Sequence, residues 1–517
     1  MTERPAFYIT TPIYYVNDIP HIGHAYTTLA CDVIARFKRL DGFEVMFLTG
    51  TDEHGQKVEK SAAAKGKDPQ EFCDEVSQRF RELAEFMKFS NDDFIRTTEQ
   101  RHRIACQALW QRLEKSGNIY LDKYSGWYSV RDEAYYAESE LLEGEDGDKL
   151  APTGAPVEWV EEESYFFRLS AWEDALLKWY ENLPETVLPK SRRNEVKSFV
   201  EGGLRDLSIS RTSFSWGVPV PGNDRHIMYV WIDALTNYLT ATGYPDVDGD
   251  KFRKFWPADI HMVGKDILRF HGVYWPAFLM AAGIEPPKRI YAHGWWTNEG
   301  QKISKSLGNV IDPFEIVEEF GLDQVRYFLM REVPFGNDGD FSRTAMINRI
   351  NSDLANDLGN LAQRSLSMVF KNCDGQIPPH GTFTEQDETI LAAIDGLLPH
   401  VRSLMDRQSI NKAIEAIWKV VSDCNVYFAG QEPWALKKTD PERMATVLYV
   451  TAEVVRQIAI MISFIMPDSA EKLLDQINVA TDRRGFDQLG QAGRLVSGTT
   501  LDKPEGVFPR YVEVAKG

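Results

Sequence analysis

Two strand–helix–strand patterns, one over residues 7–48 and the other over residues 260–292, limit what this chain can fold into more than any other feature. In the first, Phe7 to Thr11 is β-rich, Tyr26, Leu29, Val33 and Phe37 recur at helix spacing, Asp41-Gly42 marks a stop, and Val45 to Leu48 is an apolar strand. In the second, Ile260 to Val263 reads as a strand, Ile267 to about Ala282 as a helix, and Ile290 to Ala292 as a strand. Strands joined through a helix pair in parallel, and open parallel sheets take their ligands at the carboxyl ends of the strands. The two patterns read as halves of one such sheet, split by an insertion.

The insertion begins near Gly117. It holds Trp127, Tyr128, Tyr135, Tyr136, Trp159, Phe166 and Phe167 and an acidic tip from Glu143 to Asp148, and reads as a small, mostly β module with a solvent loop. After Gly339 helical patterns dominate to about Met466, with Ile347, Ile350, Leu354, Leu358 and Leu361 as one apolar stripe, which predicts an all-α C-terminal domain. Val507 to Val512 reads as a strand that packs back onto it.

A chain of 517 residues, 43% hydrophobic and 12% aromatic, can bury the cores of about three or four domains. No N-terminal segment has the build of a secretion signal and no apolar run approaches the length of a membrane span, so a soluble, cytoplasmic protein with no membrane partner is expected. Cys31, Cys73, Cys106, Cys373 and Cys424 are far apart and form no Cys-x-x-Cys pair; they read as buried thiols. The net charge of -19 argues against a protein that wraps a polyanion with its whole surface. It leaves room for one that touches nucleic acid along a single stripe.

His21-Ile22-Gly23-His24 stands where the first strand hands over to its helix. A helix N-terminus there offers N–H groups and partial positive charge to an anion, and two imidazoles can donate to phosphate oxygens. Taken alone, the segment fits two surface histidines equally well. Far downstream, Lys302-Ile303-Ser304-Lys305-Ser306 follows Thr297-Asn298-Glu299-Gly300. Two lysines in a loop of this kind can close over a triphosphate and neutralise charge as its α-phosphorus is attacked.

HIGH at 21–24 and KISKS at 302–306 resemble the paired motifs of class I aminoacyl-tRNA synthetases, and similarity to the methionyl-tRNA synthetases extends across nearly the whole chain. The resemblance implies an α/β fold: a Rossmann-type parallel sheet split by a small, mostly β insertion, then an all-α anticodon-binding helical domain. The corresponding partition is 1–116 and 211–295 for the two catalytic halves, 117–210 for the insertion, 296–344 for the lysine loop and stem-contact region, and 345–517 for the helical domain. Activation of methionine with ATP and Mg2+, release of pyrophosphate, and transfer to the terminal adenosine of tRNA(Met), initiator tRNA included, are implied in turn, with attack first by the 2′-hydroxyl. His21, His24, Lys302 and Lys305 are implied as the catalytic groups that stabilise the phosphates, neither histidine as a general base. Gly23, Asp266, His293, Gly294, Ser304 and Val310 are implied as ATP contacts, Asp266 at the ribose and His293-Gly294 and Asn309-Val310 on the adenine side.

A thioether substrate needs a soft, aromatic pocket, and its ammonium needs a carboxylate. Tyr15, Trp231 and Tyr238 supply rings and Asp52 the carboxylate; the resemblance adds Ile13, Ala234, Leu235, Ile267 and His271, the last within reach of the sulfur or of a tyrosine hydroxyl. Where some relatives carry a glutamate, this chain reads Trp216-Gly217-Val218-Pro219, so no ribose contact is transferred there. Asn356, Asn360 and Arg364 form a polar line on a C-terminal helix, and Pro433-Trp434 opens another; exposed bases are read by such stacking and hydrogen-bonding groups. Asn360, Arg364 and Trp434 match the family's anticodon-binding positions.

Many relatives hold a structural zinc in the inserted module. Between Gly117 and Ser170 this chain has no Cys and no His, so no structural zinc is expected. A synthetase for another amino acid, a short nucleotidyltransferase and an inactive tRNA-binding protein are the competing readings. The interval from Gly117 to Arg211 is too short for the editing insertion of the branched-chain enzymes, and the helical region counts against the second. Intact His21, His24, Lys302, Lys305 and Asp52 count against the third. With no basic domain after the helical region, a monomer is the default expectation.

Overall fold

The structure is a computed structural model that describes residues 4–16, 19–132, 134–144, 147–303 and 308–513. The chain forms two compact units, residues 1–31 with 44–293, and residues 32–43 with 294–517.

The first unit is built on a parallel sheet. Its strands are β1 (Ala6–Thr10), β2 (Tyr14–Tyr15), β3 (Glu44–Asp52), β4 (Asp93–Arg96), β5 (Val187–Leu188), β6 (Ile260–Gly264) and β7 (Ile290–His293). They lie in the order β5-β7-β6-β1-β3-β2, with β4 also on β3. β1 pairs with β3 in the register Tyr8↔Met46 and Thr10↔Leu48, and with β6 in the register Ile9↔Ile260. From β1 the sheet grows through β3 on one side and through β6 and β7 on the other. The crevice at the carboxyl ends of β1 and β6 is therefore a topological switch point, where open α/β sheets place ligands. The strands read as apolar runs because helices cover both faces. Trp110, Trp275, Tyr8 and Tyr238 are among the largest fully buried side chains.

The β part of the inserted stretch is an antiparallel sheet in which Ile119–Ser129 pairs with Glu158–Phe167, flanked by Ala134–Tyr136 and Leu207–Ser208. Between Phe167 and Leu207 the chain forms two helices, Glu173–Asn182 and Lys190–Glu201, and sends β5 to the edge of the parallel sheet. The aromatics expected to be the module's core are only partly buried. Tyr128 and Phe166 are buried, whereas Trp159 is 50% exposed and stacks edge-on against Trp127 at 5.3 Å. The Arg211 guanidinium instead lies over Tyr128, Tyr135 and Tyr229, at 5.5, 4.6 and 4.4 Å from their centroids. Part of the acidic tip, residues 145–146, falls outside the described residues.

The second unit opens with a small sheet in which Trp296–Asn298 pairs with Gln301–Lys302 and with Gly339–Phe341. Helices follow. The expected apolar stripe holds at Ile350, Leu354, Leu358 and Leu361, but Met346 rather than Ile347 is buried ahead of it. Residues Ile350–Gly359 are wound as a π-helix, whose wider turn keeps a four-residue apolar spacing on one face. Helix Pro441–Ile462 corrects the reading that no apolar run approaches a membrane span. It is long and apolar enough for one, and 94% of its most apolar window is buried inside the unit, where it is a core helix. Nor is there a strand at Val507 to Val512. The tail packs back through side chains: Phe508 is buried, the Tyr511 N–H donates to Asn351 Oδ1 at 2.8 Å, and Asn351 Nδ2 donates to the Tyr511 carbonyl at 3.1 Å. Of the cysteines, Cys373 is only half-buried.

Candidate functional site

At the carboxyl end of β1 the chain passes through β2 and enters α1 (Ile22–Leu40). The Gly23 N–H donates to His21 Nδ1 at 3.1 Å and the His21 N–H to His24 Nδ1 at 3.2 Å. A ring whose Nδ1 accepts keeps its proton on Nε2, so both imidazoles are neutral Nε2–H donors. The rings lie 3.9 Å apart, and burial, then the neighbouring His21, holds the His24 pKa well below the usual histidine range. His24 also packs edge-on against Tyr14 and Phe80, at 4.7 and 5.1 Å. The helix start thus presents a pair of fixed donors, with the positive end of the helix dipole behind them, suited to phosphate oxygens.

The Thr27 hydroxyl donates to the Gly23 carbonyl at 3.0 Å and so accepts from His293 Nε2 at 2.8 Å, tying the end of β7 to this helix. His293 is buried, and its Nε2 serves that tie. Exposed Asp266 lies in the turn after β6, folded back so that its Oδ1 stands 2.5 Å from where a Cβ at Gly264 would be.

In the second unit, Gly294 faces the backbone of Asn337, where a Cβ would come within 2.3 Å of the carbonyl. Lys302 is exposed at the end of its strand, and its carbonyl accepts from Asn309 Nδ2 at 3.0 Å. Asn298 Nδ2 holds the Asn309 carbonyl at 2.9 Å, and Val310 is half-buried beyond it. Ser304 and Lys305 lie outside the described residues.

The proposed amino-acid residues converge in the first unit. Tyr15 and Asp52 are register partners across β2 and β3. The α-helix Val230–Thr240, α2, carries Trp231, Ala234, Leu235 and Tyr238. Trp231 stacks flat on Phe270 at 3.6 Å, with the His271 ring edge-on at 6.3 Å; its Nε1 is buried with no acceptor among the described residues. His271 Nδ1 donates to the Ile267 carbonyl at 2.9 Å, which leaves Nε2 to accept from the Tyr238 hydroxyl at 2.7 Å. Of the two roles allowed for His271, the tyrosine hydroxyl is the one made here. Burial lowers the His271 pKa to about 4, so the ring is neutral at pH 7. Ile13, Tyr15, Trp231 and Ile267 are half-buried against the core, as walls of a cavity would be. Trp216 Nε1 donates to the Glu53 carbonyl at 2.6 Å, so the departing Trp216-Gly217 segment braces the loop after β3.

Sequence reasoning missed a buried cluster behind this pocket. Asp233, on α2, accepts from His54 Nδ1 through Oδ2 and from His102 Nε2 through Oδ1, each at 2.7 Å. His102 Nδ1 lies 3.1 Å from Thr240 Oγ1, and Cys106 Sγ 3.2 Å from His102 Nε2. Burial would push the Asp233 carboxyl up, but the charge and hydrogen bonds of the His54 and His102 pair hold it well below the carboxylate range. The only sequence signals were an aspartate on an apolar helix and a histidine two residues after Asp52. His102, Cys106 and Asp233 are close enough to share a metal ion. The 2.7 Å separation of nitrogen and oxygen is that of a hydrogen bond, and burial raises the Cys106 thiol pKa, which disfavours the thiolate a metal takes.

On the helical part, Asn360 is exposed at the start of Asn360–Asn372, and the Arg364 guanidinium one turn on lies 5.2 Å from the Phe428 ring and 5.6 Å from the Trp434 ring. Trp434 is 45% exposed. Asn356 contacts Arg510 of the tail.

The family model described as tRNA synthetases class I (M) matches residues 7–366, and the anticodon binding domain of methionyl tRNA ligase matches residues 377–515. The methionine-tRNA ligase of Rhizobium meliloti is 61% identical over 513 residues, covering 99% of each chain. That of Mycobacterium bovis is 56% identical over 510 residues, covering 98% of each. The structure of Mycobacterium tuberculosis methionyl-tRNA synthetase in complex with methionyl-adenylate superposes with a TM-score of 0.96 at 56% identity, covering 98% of this chain and 100% of that one. A switch-point crevice carrying the HIGH donors and these full-length likenesses agree: the chain belongs to the methionyl-tRNA synthetase family of class I tRNA synthetases.

Proposed function

We propose that this enzyme activates methionine with ATP to methionyl-adenylate and pyrophosphate, and then transfers the methionyl group to tRNA(Met). The observation that carries the reading is the convergence of Tyr15, Asp52, Trp231, Tyr238 and His271 in one unit with the Nε2–H pair of His21 and His24. The methionine carboxylate attacks the α-phosphorus of ATP, which enters as its magnesium complex, and pyrophosphate leaves. A hydroxyl of the tRNA's terminal adenosine then displaces AMP from the acyl carbon. His21 and His24 stabilise phosphate charge together with Lys302 and Lys305, while Gly23, Asp266, His293, Gly294, Ser304 and Val310 form the ATP site. Ile13, Tyr15, Asp52, Trp231, Ala234, Leu235, Tyr238, Ile267 and His271 form the methionine site. Asn360, Arg364 and Trp434 read the anticodon of elongator and initiator tRNA. The domain partition follows the five ranges given above, and the enzyme acts in the cytoplasm as a monomer.

Methionine-dependent ATP–pyrophosphate exchange tests this directly, run across all twenty amino acids. Strongest exchange with any other amino acid overturns it. Asp52→Asn is expected to raise the KM for methionine about 10- to 100-fold, since a charge-assisted hydrogen bond is worth roughly 1.5–3 kcal/mol. An unchanged KM removes Asp52 from the site. Trp434→Ala is expected to cut tRNA charging about tenfold or more through lost stacking of roughly 1–3 kcal/mol, and to leave exchange intact. Parallel loss of both would contradict a separate anticodon site.

No structural zinc belongs to this proposal. The support is the lack of Cys and His between Gly117 and Ser170 and the hydrogen-bonded state of the His102, Cys106 and Asp233 cluster. Chelation is expected to leave the thermal midpoint unchanged. Stoichiometric zinc in untagged protein, lost together with stability on chelation, would overturn it.

A further inference from the structure

His54 is 1% exposed and its Nε2 has no hydrogen-bond partner among the described residues. A buried polar nitrogen left in that state costs free energy that a bound ligand can recover. The proton inventory says what kind of ligand. The Thr240 hydroxyl donates to the Thr236 carbonyl at 3.0 Å, so its oxygen accepts from His102 Nδ1. His102 Nε2 donates to Asp233 as well, so that ring donates from both nitrogens and carries the charge that matches the carboxylate. The carboxylate's single charge is then matched, and a second charged ring would leave the buried cluster net positive, so His54, which donates Nδ1–H to the other oxygen of Asp233, is assigned as the neutral ring. Its Nε2 is then a lone pair that calls for a donor.

His54 belongs to the segment that carries the proposed ammonium partner. His54 stands two residues after Asp52 in the loop leaving β3, and the Tyr15 hydroxyl donates to its carbonyl at 3.3 Å. Its anchor, Asp233, lies between Trp231 and Ala234 on α2. Methionine has a carboxylate and a thioether, both acceptors, and one donor group, its ammonium.

We infer that His54 Nε2 accepts a hydrogen bond from the α-ammonium of methionine as a second acceptor beside Asp52, with Asp233 and His102 as positioning residues that fix its ring. This inference rests on the function proposed above and deepens it. The three N–H bonds of an ammonium diverge, so one carboxylate cannot meet them all, and a neutral acceptor adds recognition of the ammonium without adding a second buried negative charge. Asp233 gives the ring its tautomer and also joins the segment that follows Asp52 to the helix that carries Trp231 and Tyr238.

The test pairs a protein change with a ligand change. His54→Asn sets an amide N–H where Nδ1 stands, so the bond to Asp233 is kept and only the Nε2 acceptor is removed. Inhibition constants are measured in the parent and the variant for methioninol, which keeps the amine, and for 4-(methylthio)butan-1-ol, which lacks it. The expected result is a loss of about tenfold for methioninol in His54→Asn and less than about twofold for the desamino alcohol. Equal losses for both ligands, or no loss for methioninol, overturn the inference. Exchange in the parent enzyme is read first. Its failure with methionine would fell the proposed function, whereas a parent active with methionine and a flat analogue comparison would fell the His54 assignment alone.

Discussion

Asp233→Ala is expected to destabilise the first unit by about 3–5 kcal/mol, the usual cost of deleting one partner of a buried charge pair. The carboxylate is fully buried and takes hydrogen bonds from His54 and His102, both at 2.7 Å. With it gone, His102 keeps two donors, one facing the Thr240 hydroxyl and the other facing only the Cys106 thiol. Denaturant unfolding followed by tryptophan fluorescence reads this, since Trp110, Trp231 and Trp275 all lie in the same core cluster or against it. The effect also has a pH signature. A carboxyl held below its ordinary value stabilises the folded state above about pH 4 and loses that contribution as pH falls through the folded value. The parent is therefore expected to lose stability below about pH 4 more steeply than the variant. A midpoint equal to the parent's at pH 7 would remove Asp233 from the fold's supports and show that the cluster carries no ion pair.

His24→Ala is expected to lower kcat for methionine-dependent exchange by about 10²–10³-fold, with the KM for methionine changed by less than about threefold. The His24 Nδ1 is held by the His21 N–H, so its Nε2–H is a donor whose direction is set before substrate arrives. A donor fixed in advance acts most strongly on charge that develops as the α-phosphorus is attacked, and so appears in kcat rather than in methionine binding. Because burial keeps this imidazole neutral well below the usual histidine pKa, the donor is not switched by titration between pH 6.5 and 8. Equal losses in methionine affinity and turnover would place His24 in the structure of the pocket rather than at the phosphates.

The two halves of the parallel sheet were legible from periodicity, because apolar runs such as Val45 to Leu48 and Ile260 to Val263 are what strands buried on both faces require. The HIGH segment was legible because its chemistry is local. Four consecutive residues at a helix start supply both the donors and the dipole, and the hydrogen bonds His21–His24 and His21–Gly23 join near neighbours. Other local patterns failed where packing overrode them. Val507 to Val512 has the valine and aromatic content of a strand, yet Asn351 captures the Tyr511 backbone with a side chain and no ladder forms. The aromatics of the insertion looked like a core, yet Trp159 is half exposed and a buried arginine takes up the stacking.

What the sequence by itself determined is the order of elements, the class of fold, and the residue types that phosphate, thioether and ammonium demand. What only the tertiary structure decided is which distant groups share a proton. Asp233 meets His54 and His102 across separations of 179 and 131 residues. No periodicity or motif encodes such a meeting, because it depends on the loop after β3, the helix Gln100–Lys115 and α2 being packed against one another. A hydrogen bond at 2.7 Å exists only once that packing has brought its two ends within reach.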